Sequence, residues 1–254
     1  MGYEQHCKRP GRGDTYNSPL PDKSMTYGGY ANYQRAQGHW AIKIPDNIPS
    51  NEAGPAMCGG ITVYSPLKHN GCGPGKKVGI VGIGGLGHFG LLFAKALGAE
   101  EVVAISRGAS KKEDAMKLGA TKFIATDEDK DWAKNNANSL DIIISTVSSP
   151  KMPLTDYVSL LRFRGVFIQV GAPEDPIPPL SAFNLIGNEV KIGGSMTGST
   201  SDIKEMLDLM SEKKIKPWIQ NRKMEEANKA IVDMDQGHAR YRYCLINEKN
   251  GGKM

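Results

Sequence analysis

Residues 78–90, VGIVGIGGLGHFG, decide the fold. An apolar run, Val78 to Val81, leads into Gly82-Ile83-Gly84-Gly85-Leu86-Gly87, and a helix-like stretch from His88 to Leu97 follows. G-x-G-x-x-G between a strand and a helix is the setting of the dinucleotide fingerprint. Gly82 suits the tight turn, and Gly84 lets backbone approach a pyrophosphate. Gly87 lets helix and strand pack closely, and the helix N-terminus with Gly85 and Leu86 offers N–H groups to phosphate. Alone the pattern is weak, because glycine-rich turns also serve purely structural ends.

The next segment adds weight. A second apolar strand, EVVAIS at 101–106, begins just after the helix ends at Gly98. Its end lies about 20 residues beyond the last glycine, where NAD-binding domains place an acidic residue on the ribose. Here that place holds Ser106 and Arg107, with Lys111 and Lys112 behind them. A carboxylate repels a 2′-phosphate, whereas a hydroxyl and cations attract it. The expected cofactor is therefore NADP(H) rather than NAD(H). The competing reading is a set of solvated charges opening a helix.

Working outward, strands and helices alternate from Lys76. Strands are predicted at 78–82, 101–106, 122–125, 140–146 and 165–170. Helices are predicted at 86–97, 110–118, 129–137 and 153–162. This pattern implies an α/β fold with a Rossmann-type, doubly wound parallel sheet. The run LDIIISTV at 140–147 reads as a fully buried central strand. A sixth strand at 189–194 and a helix at 201–213 follow. The tail from Ile215, short strands around a helix at 224–235, leaves the alternation and belongs to another substructure. Upstream, 29–44 reads as two short strands with a turn near Gln37-Gly38. A helix is expected from Ser50, its N-cap, to Leu67, with Glu52 in the first turn. The first 25 residues, rich in Gly, Pro and Tyr, are expected to fray.

Bulk properties exclude other classes. The chain has 254 residues with 39% hydrophobic and 23% charged, ordinary for a soluble globular protein. A net charge of +5 with dispersed basic residues does not argue for nucleic acid. No apolar run is long enough to span a bilayer, and the polar N-terminus is not a signal peptide. Cysteines at 7, 58, 72 and 244 form neither C-x-x-C nor a disulfide framework, so a cytoplasmic, reducing compartment is expected.

Several stretches in order, YGGYANY, IPDNIPSNEAGPAMCGGITVYSPLKHNGCGPGKKVGIVGIGGLGHFG, AISRGASKKEDAMKLGA and ARYRY, resemble the zinc-dependent medium-chain alcohol dehydrogenases. The resemblance is to the cinnamyl-alcohol-dehydrogenase-like, NADP(H)-preferring branch, and it runs from about Cys7 to Asn247. It implies reversible hydride transfer between NADPH and an aldehyde, with zinc polarising the carbonyl. It further implies a homodimer joined through the sixth strand, 189–194. Three regions are implied: 1–52, part of a GroES-like catalytic domain; 53–213, the NADP-binding domain; and 214–254, a return to the catalytic domain.

The same resemblance implies that family members carry a further stretch before this chain begins, so the chain looks N-terminally truncated. Cys58 then matches one remaining catalytic-zinc ligand, and Cys7 one remaining structural-zinc ligand. Catalytic zinc wants three protein ligands, and a single cysteine is also read as a small buried hydrophobe. Zinc is thus a cofactor of the family rather than an expectation for this chain. Thr62 resembles the threonine facing the nicotinamide, or else it bonds back to a helix carbonyl. Thr146 and Val147, then Val170, Gly171 and Ala172, then Gly194, Ser195 and Met196 match cofactor-lining turns. Arg240 resembles an arginine near the cofactor, and a surface charge is the competing reading. His88 is expected to pack or to contact phosphate.

The expectation is that the chain binds NADP(H) and is inactive or weakly active by itself on aldehyde or alcohol substrates. The alternatives are a zinc-independent quinone or enoyl reductase and a non-catalytic NADP(H)-binding module. The tail and residues 29–44 are expected to expose apolar faces.

Overall fold

The central element is a six-stranded parallel sheet. The structure is a computed structural model that describes residues 16–20, 22–34, 36 and 38–253. The sheet contains β3 (Lys77–Val81), β4 (Glu101–Ser106), β5 (Lys122–Ala125), β6 (Leu140–Ser145), β7 (Leu161–Gln169) and β8 (Lys191–Gly194). A hairpin of β1 (Tyr16–Pro19) and β2 (Met25–Tyr27) precedes them. The spatial order is β5-β4-β3-β6-β7-β8. Chain direction across the sheet therefore reverses between β3 and β6, and ligands bind outside the carboxyl ends of strands at such a switch point.

Strand sequence and layers match. Alternate residues feed opposite faces. Val78, Ile80, Ile142 and Ile144 enter one apolar cluster, and Val81 and Ile143 enter the other. Such strands, buried on both faces, become nearly continuous apolar runs. The first cluster packs under α1 (Ser50–Pro55), α2 (Ile61–His69), α3 (Gly87–Ala96) and α8 (Thr200–Lys213), through residues such as Tyr64, Phe89, Phe93 and Met206. The second lies under α5 (Trp132–Asn135) and α6 (Leu154–Ser159), with Trp132 against Tyr157. Between them in sequence lies α4 (Lys112–Lys117), entered through a 3₁₀ turn at Ala109–Lys111. The order is completed by α7 (Ala182–Ile186), then β9 (Ile219–Lys223), α9 (Ala227–Asp235) and β10 (Arg242–Ile246). Strands β9 and β10 pair in parallel as a separate sheet, as the break in alternation after Ile215 implied.

Several expectations change. The stretch 29–44 holds no strand among its described residues; Gly38–Trp40 is a 3₁₀ turn, and Gln37 lies outside the described residues. A strand needs a partner ladder, and here Tyr30, Tyr33 and Trp40 are exposed rather than packed. Part of the end expected to fray is instead the β1–β2 hairpin; residues 1–15 lie outside the described residues. Strand β7 starts at Leu161 rather than 165, because Leu161 pairs with Leu140 before an irregularity lets Val166 pair with Ile142. The irregularity contains Arg164 at φ 60°, and it ended the predicted helix early. Helices α4, α5 and α6 are each shorter than predicted. The helix from Ser50 is continuous to His69 but includes a π-helical segment, Ala56–Gly60, which contains Cys58.

Candidate functional site

The turn after β3 sits at the switch point. Gly82 takes φ +85°, a conformation that side-chain-bearing residues rarely adopt, and its N–H donates to Ile105 O at 2.9 Å. A Cβ on Gly87 would run into the Gly82 carbonyl, so the first turn of α3 lies directly on the strand end. Gly84 has nothing within 4 Å of its Cβ position and faces open space. Close approach at Gly87 and openness at Gly84 are what a phosphate cradle needs at a helix start.

Arg242, the first residue of β10, closes that cradle from the far end of the chain. Its Nε donates to Gly85 O at 3.0 Å, and its guanidinium lies within 3 Å of where Cβ atoms on Gly59 and Gly85 would be. Among the described residues no carboxylate lies within 4.0 Å of it. Burial works against its charge, and the Cys58 sulfur beside it works in favour. A partly buried cation without a counter-ion beside an open glycine turn is an anion site in waiting.

Gly85 O also accepts from His88 Nδ1 at 3.0 Å. His88 is fully buried, stacked on Tyr241, and its Nε2 has no partner. Burial first, and the Arg242 charge second, bring its pKa down to about 4. It is therefore a neutral packing residue under the turn, the first of its two expected roles.

A second cationic group gathers at the end of β4. Lys111 Nζ donates to Ile83 O at 2.7 Å, and it lies 5.8 Å from the centroid of the Tyr241 ring. The Arg240 guanidinium lies 6.0 Å from the same centroid. The Tyr241 hydroxyl is tied to Asp114 at 2.7 Å. Burial, then the charges of Arg240 and Arg107, hold the Lys111 pKa below its usual value. Arg107 and Lys111 are therefore near one another at the end of β4, with Ser106 the last residue of that strand.

Arg240 stands in this cationic group. It is exposed, with Nη1 bonded to its own turn at Gly237 O, 3.0 Å away. Its neighbour two residues on, Arg242, reaches the glycine turn instead. Arg240 precedes β10 while Arg242 begins it, a boundary that the ARYRY stretch does not mark.

The remaining residues form a circuit around the crevice. Thr146 Oγ1 bonds the Val81 and Gly82 carbonyls, at 3.0 and 2.8 Å. Gln169 Nε2 donates to Val147 O and Gly171 O, both at 2.8 Å. Ser195 N donates to Gln169 O at 3.2 Å. A Cβ on Gly198 would touch Ile61 and Ser65 of α2, and the helix continues back through Gly59 to Arg242. Val170 is half-buried beside Gly171, while Ala172, Gly194 and Met196 are exposed at the rim. Sequence reasoning missed Arg242 and Gln169; the one signal for Gln169 was a polar residue ending an apolar strand.

Thr62 and Cys58 sit on the helix that closes the circuit. Thr62 Oγ1 donates to Cys58 O at 2.8 Å, the back-bond of an ordinary helix hydroxyl. Cys58 is exposed, which corrects its reading as a small buried hydrophobe. Cys7 lies outside the described residues. Among the described residues no three His, Cys, Asp or Glu side chains converge on a point. Zinc, which takes three protein ligands in a catalytic site, does not fit this set.

A family profile described as zinc-binding dehydrogenase matches residues 85–212. NADP-dependent alcohol dehydrogenase 6 of Saccharomyces cerevisiae is 43% identical over 240 residues, covering 91% of this chain and 65% of its own length. Among solved structures, a cinnamyl alcohol dehydrogenase of Sorghum bicolor superposes with a TM-score of 0.84 at 32% identity, over 94% of this chain and 69% of that one. A cinnamyl alcohol dehydrogenase of Helicobacter pylori, complexed with NADP(H), gives 0.79 at 33% identity, over 94% and 67%. The chain thus spans about two thirds of the length of these relatives.

Proposed function

Because the chain belongs to the zinc-binding dehydrogenase family, we propose that it binds NADP(H) in the crevice at the switch point and serves hydride transfer between NADPH and an aldehyde. The observation that carries this reading is the pair of cationic groups, Arg242 at the open glycine turn and Arg107 with Lys111 at the end of β4, none of which has a carboxylate within 4.0 Å among the described residues. Two anionic groups of one ligand, a pyrophosphate and a ribose 2′-phosphate, match them in chemistry.

In this reading Gly82, Gly84, Gly85, Leu86 and Gly87 hold the pyrophosphate together with Arg242. Ser106, Arg107 and Lys111 hold the 2′-phosphate. Thr146, Val147, Val170, Gly171, Ala172, Gly194, Ser195 and Met196 line the nicotinamide side, and Thr62 faces it. The nicotinamide supplies the hydride when bound. The chain's own residues orient it and exclude water from one side of the crevice. Residues 53–213 form the cofactor domain, while 1–52 and 214–254 form the second.

The curated relatives named NADP-dependent alcohol dehydrogenase and cinnamyl alcohol dehydrogenase support aldehydes and primary alcohols as the substrate class. A homodimer through β8 belongs to the same reading. Among the described residues no strand pairs with the outer edge of β8, and Met196 just after it is exposed, as are Phe183 and Ile186 of α7. Free thiols at Cys58, Cys72 and Cys244 suit the cytoplasm, and no helix among the described residues is long and apolar enough to cross a membrane.

A second reading, zinc-independent reduction of quinones or enoyl compounds, is favoured by one observation. Cys58 belongs to no group of three His, Cys, Asp or Glu side chains among the described residues. Titrations of the purified chain with NADPH and NADH, with metal content measured on the same sample, test both. Tight NADPH with weak NADH supports the cofactor assignment, and equal affinity overturns it. Aldehyde reduction that a chelator abolishes supports the first activity; quinone reduction that survives the chelator supports the second.

A further inference from the structure

We propose that Gln169 is the positioning residue of the nicotinamide end of the crevice, its side-chain amide clamping the loop after β6 to the loop after β7. The inference rests on the dinucleotide reading above, and it concerns how the strand-end loops are held at one spacing.

Backbone pairing brings the two segments only so far. Val170 N and Gly171 N donate to Ser145 O, at 2.9 and 3.1 Å. Past that point the chains after β6 and β7 share no backbone hydrogen bond among the described residues. The Gln169 amide takes over, with both of its donors used: one on Val147 O and one on Gly171 O, each at 2.8 Å. Two carbonyls facing one amide end require the NH₂ there, so the orientation of the group is fixed by its partners.

The other end of the side chain shows why an amide is needed. Gln169 Oε1 is buried without a partner, and so is Ser145 Oγ on the paired residue of the neighbouring strand. An unpaired buried acceptor works against folding. An aliphatic side chain would fill the same strand position without it, as Val81 and Ile105 do at the same level of the sheet. What the amide adds is the pair of bonds to the two loops. The Gln169 backbone also holds the third loop, accepting from Ser195 N at 3.2 Å. One residue therefore meets all three segments assigned to the nicotinamide side. The fit leaves little slack, because a Cβ on Gly171 would collide with the Val147 carbonyl.

The test is calorimetric titration of the 254-residue protein with NADPH and with 2′,5′-ADP, which carries the adenosine phosphates and lacks nicotinamide. Gln169→Met keeps length and volume and removes both donors. Its NADPH affinity is expected to fall about tenfold, while 2′,5′-ADP affinity stays unchanged. Gln169→Asn keeps an amide on a shorter arm that cannot span both carbonyls. It covers the case in which the thioether fails to fold, and a smaller loss confined to NADPH is expected. Equal losses for both ligands, or no loss for either, overturn the positioning role. Wild-type protein that binds neither ligand overturns the dinucleotide reading itself, and this inference with it.

Discussion

Arg242 Nε donates to the carbonyl oxygen of Gly85 at 3.0 Å, across 157 residues of chain. The bond holds a guanidinium at the turn after β3, whose backbone is open at Gly84. Arg242→Ala is expected to weaken NADPH and NADH alike, about 10- to 100-fold, since charge-assisted bonds contribute about 1.5–3 kcal/mol. Isothermal titration with both cofactors checks it, and a loss confined to NADPH would move Arg242 to the other anion site.

The 2′-phosphate group is separable from it. Arg107→Ala and Lys111→Ala are each expected to weaken NADPH about tenfold and leave NADH unchanged. The NADPH titration should also steepen with ionic strength more than the NADH titration does. NADH losses equal to those for NADPH would show that these cations do not read the phosphate.

The glycines of the turn should divide into two kinds. Gly87→Ala places a methyl in the Gly82 carbonyl and is expected to destabilise the chain by about 2–3 kcal/mol. Gly84→Ala meets nothing within 4 Å, so its melting temperature should match the wild type while cofactor affinity falls about tenfold. A stability loss at Gly84 similar to that at Gly87 would contradict the open cradle.

His88 gives the fold an acid limit. Its pKa is about 4 when folded against 6.5 for the free side chain, so between these values the unfolded chain binds a proton that the folded one does not. Stability is complete above about pH 6.5 and falls as pH drops towards 4, by about 3 kcal/mol. Denaturant melts across that range should show the slope, and His88→Phe should flatten it. An unchanged slope in the variant would place the acid sensitivity elsewhere.

Dimerisation has its own test. Phe183→Asp with Ile186→Asp is expected to shift the species seen in sedimentation from dimer to monomer. A monomeric wild type would remove β8 as an interface.

The parallel sheet was legible because its strands are buried on both faces, so III at 142–144 and VVAI at 102–105 announce themselves as apolar runs. The glycine turn and the cations behind β4 were legible because their spacing is local. What escaped depends on contacts between distant segments. ARYRY offers two arginines, and only packing of β10 against Gly59 and Gly85 selects Arg242. The amide of Gln169 gains its role from carbonyls on two loops. The stretch 29–44 carries aromatic residues suited to a strand, yet strand formation needs a neighbour that its own sequence does not name.

The reach of Arg242 back to Gly85 also sets an order of events during synthesis. Domains generally fold as units while the chain emerges from its N-terminal end. The six strands of the sheet and their covering helices lie within residues 50–213, so this body is translated before β10 exists. The cationic arm that completes the turn arrives only with β10. A ribosome-bound chain stalled before Arg242 therefore lacks that grip on the turn, and the proposed cofactor site is completed only once β10 has been made.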